Sequence, residues 1–162
     1  MALIAAALGL LLIALLAKAP IAQFPDYHQL ADGRTLLGIA HFWNVASNFP
    51  FLVVGAMGLA LLRRRPAGAS PAWGALFGGT VLGFFGSAYY HLDPRDATLV
   101  WDRLPIGMAF MGFFAALIGE HSRVNSSRIL LPLIAFFIGA VFWWRFTGDL
   151  SLWVWVQLAP ML

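Results

Sequence analysis

Ser87 and His91 stand four residues apart and Asp102 follows eleven residues later, inside the stretch FFGSAYYHLDPRDATLVWDRLP that separates two apolar runs. A hydroxyl, an imidazole and a carboxylate are the side chains with which a protein can hold a metal ion or move a proton. Ionisable residues at the border of a membrane bundle, facing its interior, are functional hypotheses by default. The chain contains no cysteine, so thiolate ligands, iron–sulfur clusters, disulfides and cysteine nucleophiles are excluded. Any metal must be held by histidine or carboxylate, which leaves His28, His41, His91 and His121 as the imidazoles to place.

The helix that would carry Ser87 and His91 also carries Gly79 and Gly83 at the same interval of four, and an α-helix puts such residues on one stripe. Small residues let a neighbouring helix approach closely in a membrane, so the stripe is expected to face protein. A purely structural account stands beside this one. The glycines pack, Ser87 bonds back to its own helix, and His91 is an interfacial residue at the negative end of the helix dipole. Asp102 suits the N-cap of the following helix, and Asp93 before Pro94 suits a turn. In HFWNVASNFPF, Asn44, Ser47 and Asn48 share a helical face and are expected to line and hydrate the cavity, with Pro50 freeing the carbonyl of Ala46.

The elements that must position these residues are membrane spans. Hydrophobic residues make up 61% of the 162 residues and charged ones 10%, with several runs long enough to cross a bilayer core of roughly 30 Å. The expected fold is a single integral membrane domain, all-α, with five spans and a cut-off sixth. The spans are Ala2–Ala17, about Gly38–Leu62, about Ala72–His91, about Leu104–His121 and about Ile129–Phe146. A last run from about Leu150 meets Leu162 too soon to cross. The first run is favoured as a retained span over a cleaved signal, since it lacks a basic start. Residues 18–37 read as a polar surface segment. The net charge of +3 lies in loops between apolar runs, where it sets orientation, and nucleic-acid binding is not expected. The Arg63–Arg65 and Arg123/Arg128 loops read as cytoplasmic. That puts Asn44, Ser47, Asn48, Ser87, His91 and Asp102 at the non-cytoplasmic face, and His121 at the other. Trp43, Tyr89, Tyr90 and Trp101 read as an interfacial aromatic belt.

GSAYYH followed by Asp102 and Pro105 resembles the signature of the alkaline ceramidases and their wider membrane hydrolase superfamily. IAHFWNVASN, residues 39–48, looks like a second segment of that family. The resemblance covers roughly residues 20–110. It implies a seven-helix bundle holding zinc, and cleavage of the amide bond of ceramide or a similar lipid amide. By the same resemblance His91 is a zinc ligand, Asp102 the carboxylate that activates water, and Ser87 a hydrogen-bonding group near the scissile carbonyl. The chain departs from the family in two places. No His-x-x-x-His pair follows His91, so the remaining zinc ligands and the last helices are missing. His41 stands where a calcium-binding glutamate is usual, so no calcium site is expected. The competing expectation is a non-catalytic or lipid-binding helical bundle whose polar cluster packs helices.

Overall fold

Six helices are formed in the computed structural model, which describes residues 6, 9, 10, 12–14, 17, 18, 20–64 and 70–158. They are α1 (Phe42–Ala46), α2 (Phe49–Arg63), α3 (Pro71–Leu92), α4 (Asp96–His121), α5 (Ser126–Thr147) and α6 (Ser151–Leu158). Among the described residues three helices are long and apolar enough to cross a membrane: the run Phe42–Arg63 through α1 and α2, then α4, then α5. The chain thus has the helices of an integral membrane protein. α3 matches them in length at 22 residues, but glycines and two tyrosines dilute its apolar content. Most of the first apolar run, Arg65 and the last four residues lie outside the described residues.

Helix ends follow local chemistry. Ser70 starts α3 by accepting the Ala72 N–H at 3.2 Å, with Pro71 in the first turn where its missing N–H is harmless. Asn125 starts α5 through the Ser127 N–H at 2.9 Å, and Gly148 ends it in the left-handed conformation. The start of α4 corrects the sequence reading. It begins at Asp96 rather than near Leu104, so Asp102 is not its N-cap; it lies in the second turn. The turn Asp93–Pro94–Arg95 stops α3, and Arg95 caps α4 with its N–H on Thr98 Oγ1 at 3.3 Å.

α3 is the centre of the bundle and packs most extensively on α4, with α2 on another side. The contact is close because it is made backbone to backbone. Pro105 removes an N–H from α4 and so leaves the Trp101 carbonyl without its usual helical donor. Gly86 of α3 lies against that same carbonyl: a Cβ there would stand 2.0 Å from the Trp101 oxygen. Two turns further along, a Cβ on Gly79 would stand 2.5 Å from the Ala109 nitrogen. These two contacts set how far Ser87 and His91 on α3 lie from Asp102 on α4.

Candidate functional site

Ser87 and Asp102 face one another across the α3–α4 contact and line a cavity of about 290 Å³. Phe51 of α2 closes one wall, Gly79, Thr80 and Gly83 of α3 another, and Ile106, Ala109 and Phe110 of α4 the third. Gly83 opens the space, because nothing lies within 4 Å of where its Cβ would be. The glycine stripe read from the sequence therefore divides: Gly79 packs and Gly83 leaves room. His91 lies one turn beyond Ser87 on the same side of α3.

Buried polar atoms nearly always find hydrogen-bond partners, so the exceptions are informative. Among the described residues the buried side-chain atoms without a partner are Asn44 Oδ1, His91 Nδ1, Asp102 Oδ1, and Arg103 Nε and Nη1. Three of these five belong to residues that the sequence nominated. Ser47 and Asn48 behave differently. The Ser47 hydroxyl donates to the Asn44 carbonyl at 3.0 Å, and Asn48 Nδ2 donates to the same carbonyl at 2.8 Å and to that of Val45 at 3.3 Å. Both are absent from the cavity lining and serve the break between α1 and α2, where Pro50 interrupts the helix.

His41 reaches the same end of the molecule from the loop before α1. Its Nδ1 lies 2.7 Å from the Asp32 carbonyl. Asp32 organises that loop: its carboxylate accepts Arg34 Nε at 2.6 Å and the Trp43 N–H at 2.8 Å. The Arg34 bond, then the Trp43 N–H, hold the Asp32 carboxyl below its ordinary range. No group of three or more histidine, aspartate or glutamate side chains disposed to hold a metal occurs among the described residues.

The neighbour of Asp102 is the residue that sequence reasoning missed. Arg103, expected among the outer loop charges, is only 3% exposed. Its guanidinium lies 3.8 Å from the Trp144 ring centre, 4.5 Å from that of Trp153 and 5.7 Å from that of Tyr27, and Nη2 donates to Gln23 Oε1 at 2.9 Å. The segment of residues 21–30 is tied down around it. Leu150 N–H donates to the Ile21 carbonyl at 2.8 Å, while Gln23 Nε2 and His28 Nε2 lie 3.3 and 3.0 Å from Asp96 Oδ1. Tyr90 is a second correction. It is no belt residue but is buried, its hydroxyl 3.1 Å from His28 Nδ1, whereas Trp43, Tyr89 and Trp101 are exposed as expected. The only sequence signal for the Arg103 niche was an arginine standing inside an apolar run, with tryptophans in two later helices. His121 lies at the far end of α4, its Nδ1 3.0 Å from the Leu117 carbonyl. No family model, curated protein or solved structure matches the chain.

Proposed function

We propose that this protein is a membrane-embedded, zinc-dependent amidohydrolase that cleaves ceramide-like lipid amides, as its likeness to the alkaline ceramidases implies. The observation that carries the reading is the unpaired Asp102 Oδ1 beside an otherwise largely apolar cavity that Ser87 also lines. A polar atom buried without a partner is costly, and one beside a cavity is poised for a ligand or a water. His91 Nδ1 is of the kind zinc accepts. One imidazole is too few, since a catalytic zinc takes three protein ligands, and the described residues hold no group of three or more that could bind a metal. Zinc, when bound, polarises a carbonyl and acidifies water.

The chain's own residues have narrower tasks. Asp102 is placed to take up a proton, the Ser87 hydroxyl to donate a hydrogen bond to the lipid carbonyl, and the apolar walls to admit an acyl chain from the bilayer and keep bulk water out. In this reading the protein spans the membrane five times before its final short helix, and the site opens on the non-cytoplasmic side. The protein in lipid vesicles is expected to bind zinc stoichiometrically and to hydrolyse a fluorescent lipid amide. His91→Ala should lose the metal, and Asp102→Asn should keep the metal and lose activity. Absence of zinc from the wild-type protein would leave the second reading, a non-catalytic lipid-binding bundle, which the apolar lining of the cavity favours.

A further inference from the structure

The loop ahead of the apolar run Phe42–Arg63 ends in a two-residue turn that breaks two rules at once. Leu36 and Ile39 pair through Ile39 N–H to Leu36 O at 2.9 Å and Leu36 N–H to Ile39 O at 3.2 Å, with Leu37 and Gly38 between them. Both central residues have positive φ, 54° for Leu37 and 77° for Gly38, as in the tight turns that usually carry asparagine or aspartate before glycine. A leucine held in the left-handed region is strained, and here no packing explains it, because Leu37 is 91% exposed. In water the turn would carry backbone strain and a bare isobutyl group together. The chain runs from Leu37 to Phe42, the start of the apolar run Phe42–Arg63, in five residues, so the tip lies within about 17 Å of that helix end. Asp32 fixes it there, through the Trp43 N–H, and the Arg34 carbonyl accepts the Phe42 N–H at 3.2 Å. Exposed Trp43, Tyr89 and Trp101 mark the same end, as aromatic side chains mark a lipid–water boundary.

We propose that the Leu36–Ile39 turn is a lipid anchor: it inserts Leu37 into the boundary between headgroups and acyl chains of the bilayer that the adjoining helices cross. The turn thereby fixes the height of the His41–Asn44 segment relative to the membrane surface. The partner is the phospholipid bilayer itself, and the inference does not depend on any hydrolytic activity.

The absence of cysteine makes the test direct. Leu37→Cys carries a single nitroxide label, and its collision rates with oxygen, which dissolves in the bilayer, and with a water-soluble nickel chelate are compared in phosphatidylcholine vesicles. The expected result is a positive logarithmic oxygen-to-nickel ratio at position 37 in vesicles and a label at Gln29→Cys, in the polar strap, shifted towards nickel. A ratio at 37 that favours nickel as strongly as at 29 overturns the proposal. Should Leu37→Cys fail to fold, Leu36→Cys reports on the same turn with the same two outcomes.

Discussion

Asp102 and Arg103 are consecutive residues on one helix turn, and their surroundings are opposite. Asp102 borders a cavity with one buried oxygen unpaired, whereas Arg103 is 3% exposed, its planar head 3.8 and 4.5 Å from the ring centres of two indoles. Arg103 also leaves two nitrogens without hydrogen bonds, so the count of unpaired atoms does not separate the two sites. Packing does. Aromatic faces stabilise a desolvated guanidinium by about 2 kcal/mol or more, which offsets the missing bonds. In place of aromatic faces the Asp102 carboxylate has an open cavity and Ser87 of its lining. The arginine side of the α4 turn holds elements together, and the aspartate side borders open space.

The sharpest way to break this contrast is to truncate each residue in turn. Arg103→Ala should destabilise the protein by about 3–5 kcal/mol, because it empties a packed niche and removes both ring contacts along with the Gln23 bond. Arg103→Met, which keeps most of the volume, should recover much of that loss. Asp102→Asn should leave the melting temperature in detergent almost unchanged. Equal losses at the two positions would mean that Asp102 is as structural as its neighbour.

Two glycines on α3 sharpen the comparison at a lower magnitude. Gly86→Ala places a methyl on the Trp101 carbonyl and should cost about 1–3 kcal/mol by prising α3 from α4. Gly83→Ala meets nothing within 4 Å and should stay within about 0.5 kcal/mol of the wild type. Its methyl projects into the cavity, so binding of a lipid amide should weaken although stability does not. A Gly83→Ala protein that melts early, or binds as before, would count against the cavity as the ligand's seat.

The legible part of this arrangement was the part written in local spacing. Apolar runs announced the helices α2 to α5, and the interval of four brought Gly79, Gly83, Ser87 and His91 onto one side of α3. Spacing could not say which glycine touches and which leaves space, since that depends on where Pro105 leaves the Trp101 carbonyl without its helical donor and on which α3 residue meets it. It also put the start of α4 too late, because a plausible N-cap at Asp102 concealed the Thr98 turn before it. The contacts of Arg103, Tyr90 and His28 were not legible for one reason: their partners lie 41 to 80 positions away in the chain, and no local pattern encodes such contacts.

A fully partnered carboxylate completes the comparison. Asp32 accepts Arg34 Nε and the Trp43 N–H, so its pKa in the folded loop lies below the ordinary 3.8. A carboxyl depressed in this way contributes its stability above the ordinary value and loses it as the pH falls through the lower, folded one. The loop over residues 32–43 should therefore loosen only in strong acid, below about pH 4, while the helices persist. Hydrogen exchange of the Trp43 amide, followed between pH 5 and 3 after correction for the intrinsic rate, reads this directly. Asp32→Asn should show faster exchange throughout and no remaining acid step. Because the side chain of Arg34 is mostly solvent-exposed, the effect on global stability should be small. A wild-type acid step that survives in Asp32→Asn would assign it to another group and remove Asp32 as the partnered counterpart of Asp102.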